Sequence, residues 1–396
     1  MAGAGASAGW PAAHGEEYPR FSDDEIARRW AAAAAALERA GADALLAYGA
    51  DRAGAAVQWL SEWPVTREAA LVWFPGDGPP LLWVQFANHV DNAARLASGC
   101  EVRWGGESTA ATVADELRAR RRGGLRLGVV GPLPARAAGE LEGAGAALVF
   151  CDRELQRLRV VKSDEELDWV RRGAALTDAA VEAMARHAHA GTSEAELGAI
   201  VERAYAGQGG TTHIHYFGAT SMDRPAMRVP AQWPATRRLR PGDALFCEVS
   251  ASWWGYPGQL LRTFTVEEPP NPLFRELHDV ATDAFEVVAA KVAPGTTGAE
   301  LAAAAARVVE GAGLATCDDV VHGFVGGYLP PVVPGGGRPG RHDAFVLEAG
   351  MTLVVQPNVT TPDGTAGVQT GELLLVTAGG YERLHAYPPG LGLLGR

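Results

Sequence analysis

Several short segments of this 396-residue chain carry side chains able to move protons or grip a polar ligand. His213 and His215 lie two apart in THIHYFG, and the alternation of strand side chains puts both imidazoles on one face. Imidazoles titrate near neutrality, so the pair could shuttle protons or contact substrate, or equally be two satisfied structural histidines. In GYPGQLLRT, Tyr256 and Arg262 could bind a polar substrate, although a hairpin arginine also suits a structural ion pair. Trp253 and Trp254 straddle two faces, so one serves the core and the other can line a pocket. A carboxylate such as Glu248 near an imidazole such as His322, folded into one water-shielded cavity, can shift either pKa toward neutrality and form a general acid/base pair.

Other chemistries are excluded. Gly335, Gly336 and Gly337 sit between prolines with no Lys-Ser/Thr after them, so they read as a loop and not a phosphate cradle. Cys100, Cys151, Cys247 and Cys317 are scattered without a C-x-x-C pair, which excludes a zinc knuckle or a disulfide framework. The net charge of −12, with one short basic run from Arg120 to Arg122, disfavours binding to nucleic-acid phosphates. No run of about 18 apolar residues offers a membrane span, and the first 17 residues lack the order of a signal peptide. A cytoplasmic protein is expected, without nucleic-acid or membrane partners.

The helices and strands around these residues fall into two parts. Residues 1–20 are small, polar and aperiodic and are expected to be disordered. At 22–25 the sequence SDDE starts a helix with Ser22 as N-cap and Glu25 three residues on. From there to 153, short apolar runs alternate with helical stretches, the pattern of an α/β domain. Residues 154–396 turn to long amphipathic helices, beginning in VVKSDEEL with Ser163 as cap and Glu166 at the third position. This second part contains an echo: GTSEAEL at 191–197 matches GTTGAEL at 295–301, with capping boxes Ser193/Glu196 and Thr297/Glu300. Each copy is preceded by a long helix and followed by strands, so two similar halves of helix, helix and strands are expected.

Five segments of the second part then match, in order and spacing, those of one superfamily. Pro241-Gly242-Asp243 leads into ALFCEVSASWWGYPGQLLRTF, His322 stands in VHGF, Gly350-Met351 leads to Gln356-Pro357, and GVQTGE spans 367–372. Together with VVKSDEEL and the helical echo, the chain from 155 to 384 resembles the creatinase/prolidase/aminopeptidase P superfamily of the pita-bread fold. The resemblance implies an α+β protein, a ribonuclease-H-like α/β domain of the creatinase N-terminal type followed by a pita-bread domain, and a homodimer.

In that superfamily the five frames supply two Asp, a His and two Glu to a dinuclear metal site. By position this chain has Glu248, Gln259, His322, Gln356 and Gly371, with Glu372 adjacent to the last. One carboxylate among amides cannot offset two divalent cations, because hard cations need anionic oxygens. Glu372 cannot simply replace the missing ligand, since strand neighbours point to opposite faces. No metal and no other cofactor is therefore expected. Creatinase is a metal-free member that cleaves a C–N bond in a small guanidino compound, but it keeps glutamates where this chain has Leu261 and Gln356.

The reading is a metal-independent enzyme that uses Glu248, His322 and His215 on a small-molecule substrate. It would hydrolyse, eliminate or cyclise around a C–N bond, in a role suited to specialised metabolism. Gln259, Gln356, His213, Tyr256, Arg262, Trp253 and Glu372 are the expected substrate contacts. A residual Xaa-Pro aminopeptidase or prolidase and a non-catalytic ligand- or partner-binding protein are the rival readings.

Overall fold

The computed structural model describes residues 18–120, 124–336 and 345–395. Most of the N-terminal stretch expected to be disordered, Arg121 and Arg122 of the basic run, and Gly337 lie outside these residues. The chain divides into two compact units between Leu158 and Arg159.

The first unit opens with the helix Asp23–Ala40, whose N-terminal amides are met by the Ser22 hydroxyl, which accepts from the Glu25 N–H at 3.1 Å. The reciprocal arm of a capping box is absent here because the Glu25 carboxylate is taken by Arg28 and Arg29, each at 2.7 Å. Six strands form one mixed sheet in the order Glu101–Trp104, Leu81–Val84, Ala69–Trp73, Ala44–Gly49, Arg126–Val130 and Ala147–Phe150. The strand Ala44–Gly49 is central and buried along its whole length, which explains its continuous apolar run. The edge strand Glu101–Trp104 is largely exposed and carries no apolar run, so the sequence does not announce it.

The second unit has the expected two halves. Helices Asp164–His187 and Glu194–Ala206 precede the strands Thr211–Ser221, Asp243–Trp253 and Leu260–Val266. Helices Pro272–Ala289 and Gly298–Gly311 precede Asp319–Phe324, Tyr328–Pro334, Thr352–Val355 and Gly371–Thr377. All seven strands join one sheet, in which Leu260–Val266 pairs with Gly371–Thr377 and so links the halves. Capping boxes with both arms made start three of the helices, at Ser163/Glu166, Ser193/Glu196 and Thr297/Glu300. Each cap is worth about 1 kcal/mol and fixes where its helix begins against the sheet.

Strand parity decides which side chains the sheet presents away from its helices. Leu245, Cys247 and Val249 are buried with Val181, Met184, Leu197 and Val201 of the first helix pair. Val321, Val355 and Leu374 are buried with Val288, Leu301 and Ala304 of the second. Each such aliphatic side chain gains roughly 1.5–3 kcal/mol from burial, so the register is fixed on both halves. The alternate residues Glu248, His322 and Gln356 are thereby turned to the opposite face.

Candidate functional site

Glu248 lies in the strand Asp243–Trp253, directly across from Tyr216 on one neighbour and Leu261 on the other. Gln259 comes from the turn into Leu260–Val266, and its Nε2 donates to Glu248 Oε1 at 2.5 Å. Close backbone packing holds that turn: a Cβ on Gly258 would fall 2.5 Å from Ala174 Cα, so only glycine lets the hairpin rest on the helix Asp164–His187. Burial, and then the Asp318 carboxylate, push the Glu248 pKa up to about 7, with the Gln259 amide opposing the rise. Glu248 is therefore a carboxyl group that can exchange a proton at neutral pH.

His322 is fully buried, and its Nδ1 lies 3.2 Å from the Gly323 carbonyl oxygen. The hydrogen must sit on Nδ1 to donate there, which leaves Nε2 with a lone pair. Burial pushes the His322 pKa down to about 4, so the ring is neutral at pH 7. Of the acid/base pair in which either pKa could move toward neutrality, the carboxyl group alone does so. Desolvation disfavours charge on both groups, raising the acid and lowering the base, so only Glu248 arrives near 7.

Gln356 follows the strand Thr352–Val355, held by its N–H on the Val320 carbonyl at 2.8 Å. Its side chain acts on both His322 and Tyr328. The Tyr328 ring stacks on His322 with centroids 3.9 Å apart and planes 17° from parallel. Its phenol pKa is raised, first by burial and then by Asp318 and Glu248, so the hydroxyl keeps its proton.

The two histidines of THIHYFG separate. A register shift between Thr212 and Ile214 marks a bulge at His213, which breaks the alternation on which their shared face depended. His213 turns toward the site side and meets Phe324 edge-on at 5.4 Å, and Phe324 in turn meets His322 at 5.6 Å. His215 pairs with Val249 and packs behind the sheet, 3.4 Å from the Tyr205 hydroxyl, with burial pushing its pKa down to about 4. It is not placed for catalysis beside Glu248.

Four expected substrate contacts also lie elsewhere. Arg262 Nη2 donates to Glu372 Oε2 at 2.8 Å and Arg383 Nε to Glu372 Oε1 at 2.6 Å, a structural ion cluster on the far side of the sheet in which Arg262 and Glu372 are buried and Arg383 is half-buried. Burial alone would raise the Glu372 pKa, but the two arginines hold it below the usual carboxylate range. The Tyr256 hydroxyl donates to Glu166 at 2.9 Å, tying the hairpin to a capping box. Trp253 packs on the first core and under the Arg172 guanidinium, 5.2 Å from its ring.

Tyr216, Tyr328 and Asp318 are the site residues that sequence reasoning missed. For Tyr328 a signal existed: in HGFVGGYLPP the Gly-Gly turn folds the strand after it back over His322. Asp318 and Tyr216 had none, because their importance comes only from what lies across the sheet.

A curled sheet backed by helix pairs in two similar halves, with its polar groups on the opposite face, defines a protein of the pita-bread fold. The metallopeptidase family M24 matches residues 168–378, more than half of the chain, and the protein belongs to that family, within the creatinase/prolidase/aminopeptidase P superfamily. It is 25% identical over 233 residues to a Xaa-Pro dipeptidase of Pyrococcus furiosus, a match spanning 59% of this chain and 65% of that protein. It is 25% identical over 272 residues to a Xaa-Pro dipeptidase of Pyrococcus horikoshii, spanning 68% of this chain and 76% of that protein. The crystal structure of the dipeptidase PepE from Mycobacterium ulcerans superposes with a TM-score of 0.78 at 24% identity, over 95% of this chain and 99% of that one.

The family's name implies metal, and the residues here do not fit a dinuclear centre. Among the described residues no three His, Cys, Asp or Glu side chains converge as ligands. The last frame is closed as well as neutral: a Cβ on Gly371 would lie 2.5 Å from the Val355 carbonyl oxygen and 2.9 Å from Gln356 Cα. A glutamate cannot enter there without displacing the backbone that carries Gln356.

Proposed function

We propose that the protein is a hydrolase that opens an amide bond in a small, dipeptide-sized substrate of the Xaa-Pro type. Membership in a peptidase family and the dipeptidase names of its relatives support this reading above a specialised role apart from peptides. The observation that carries the chemistry is Glu248, a shielded carboxyl group whose pKa lies at about 7. As the carboxylate it takes a proton from a water whose oxygen bonds to the substrate carbonyl carbon. As the acid it returns that proton to the nitrogen while the C–N bond breaks, releasing a carboxylic acid and an amine. Gln259, Gln356 and the Tyr328 hydroxyl hold the substrate, and the neutral His322 accepts a hydrogen bond through Nε2. No step passes through a metal ion. A small-molecule substrate, a homodimer and a cytoplasmic location complete the proposal.

A second reading is favoured by the donor set itself. Amides at 259 and 356 suit acid/base chemistry on a small polar compound that is not a peptide, by elimination or cyclisation around a C–N bond. The two are separated by assaying a panel of Xaa-Pro dipeptides with purified protein, with chelator, and with added Mn²⁺, Co²⁺ or Zn²⁺. Cleavage that Glu248→Gln abolishes supports the first reading. Intact dipeptides under every condition would leave the second.

A further inference from the structure

Between the strand Leu260–Val266 and the helix Pro272–Ala289 the chain passes through Pro269 and Pro270, which have no N–H to give a sheet. The edge of that strand is taken instead by Gly392–Leu394, which runs parallel to it with Leu393 beside Thr265. Gly392 allows this close approach, because a Cβ there would run into the Phe264 ring. Strand, helix and closing segment leave between them a cavity of about 340 Å³, large enough for a small ligand. Glu248, Gln259, His322 and Gln356 take no part in its walls.

The polar groups of this cavity are unmatched. Arg275 and Asp279 stand one turn apart on the same face of the helix, both in the cavity wall and both exposed. Opposite charges at this spacing pair elsewhere in the chain, Arg136 with Glu140 at 3.3 Å and Arg120 with Glu116 at 2.8 Å. Arg275 and Asp279 form no ion pair with each other or with any other described residue. In the same wall the Thr265 side chain is fully buried, and its hydroxyl has no hydrogen-bond partner among the described residues. A buried hydroxyl left empty is costly, and in a native structure it marks the place of a ligand or ordered water. His278 also faces the cavity, and burial holds its pKa below the usual imidazole range, so it adds no charge at neutral pH.

The charge pattern selects the ligand. A bare anion would meet Arg275 and be opposed by Asp279, and a bare cation the reverse. A molecule that carries both charges satisfies both residues. One helical turn of about 5.4 Å separates their origins, a span that two flexible side chains can close on groups attached to a single carbon atom. The rest of the wall is largely apolar, with Pro269, Pro270, Leu391 and Leu393.

We propose that this cavity is a binding site for a free α-amino acid with an apolar side chain, separate from the face that carries Glu248. Arg275 holds the carboxylate, Asp279 holds the ammonium group, and the Thr265 hydroxyl donates to the carboxylate. The apolar side chain lies against the prolines and leucines. The inference goes beyond the hydrolase reading and does not rest on it.

The test is calorimetric titration of the full-length protein at pH 7.5 with L-leucine, 4-methylpentanoate and 3-methylbutylamine, together with the ring ¹⁵N resonances of His278 and His322. Leucine should saturate at roughly millimolar concentration, the range open to so few heavy atoms, and should move the His278 resonance. Its two singly charged analogues should each bind about tenfold more weakly. Arg275→Gln should weaken leucine binding about tenfold, and Asp279→Asn should leave leucine no tighter than 4-methylpentanoate. Both side chains are exposed, so neither exchange removes core packing, and the wild-type His278 resonance stands apart from either variant. Absence of saturation, equal binding of either analogue, or wild-type affinity in Arg275→Gln overturns the proposal. So does leucine that moves His322 and not His278, which would put it on the face that carries Glu248. Dipeptide cleavage without leucine binding at this cavity would remove this inference and leave the hydrolase reading, and leucine binding without cleavage would do the reverse.

Discussion

Gln259 Nε2 donates to Glu248 Oε1 at 2.5 Å, so an amide occupies the place beside the carboxylate where the superfamily pattern has a second acid. The pair leaves Glu248 titrating under a desolvation penalty, and two of the four following expectations depend on that arrangement.

Glu248→Gln is expected to lower turnover by about 10²-fold or more, the scale of general acid/base catalysis. The pH dependence of the wild-type rate should show an inflection near 7, where the carboxyl titrates. Stability gives an independent reading. The folded pKa is raised from 4.5 to about 7, so the native state binds the proton more tightly than the unfolded chain. Stability from this group is full below about 4.5, falls as pH rises to about 7, and stays reduced above it. Glu248→Gln should therefore be more stable than wild type at pH 8, by up to about 3 kcal/mol. Denaturant melts at pH 5 and pH 8 check the sign, and a variant that is less stable at pH 8 would contradict the buried-acid account.

His322 has the opposite sign. Its folded pKa is depressed from 6.5 to about 4, so the stability of the neutral ring is present above 6.5 and lost as pH falls toward 4. His322→Gln should flatten the acid limb of the stability profile between those values. It should also weaken substrate binding, because it removes the hydrogen-bond acceptor that Nε2 offers in the site. An unchanged acid limb in this variant would mean that other groups, such as His213 and His215, dominate acid unfolding.

Arg262 and Glu372 are expected to matter for stability and not for chemistry. Glu372→Gln leaves the buried Arg262 facing a neutral amide, a change that costs about 3–5 kcal/mol when a buried pair is broken. Activity per folded molecule should stay within about twofold of wild type, on the ordinary expectation for a residue far from the reacting atoms. A large fall in turnover in a well-folded variant would place Glu372 in the site after all.

Metal affinity should rise when charge is restored. The double variant Gln259→Asp, Gln356→Glu places three carboxylates and His322 on one face and should bind Mn²⁺ or Zn²⁺ more tightly than wild type in equilibrium dialysis. Adding Gly371→Glu should instead destabilise the protein, because its Cβ would lie 2.5 Å from the Val355 carbonyl oxygen. Chelator should leave wild-type activity unchanged; loss of activity on chelation, restored by Mn²⁺ or Zn²⁺, would overturn the metal-free mechanism.

Features written in short-range pattern are legible in the order of residues. The capping boxes at Ser163, Ser193 and Thr297 place three helix starts, and the echo of the last two predicts two similar halves. The chemical types at the five frames, with Gly371 and two amides among them, are visible without coordinates. Adjacency on a strand already sets Glu372 on the face opposite Gly371. The tertiary structure alone decided what depends on distant neighbours. A one-residue bulge at His213 parts it from His215, and a bulge is a property of two paired strands, not of one. Tyr328 reaches His322 only because the chain doubles back into a hairpin. The pKa values of Glu248 and His322 move in opposite directions because desolvation is summed over everything packed around a group, and no local stretch of sequence contains that sum.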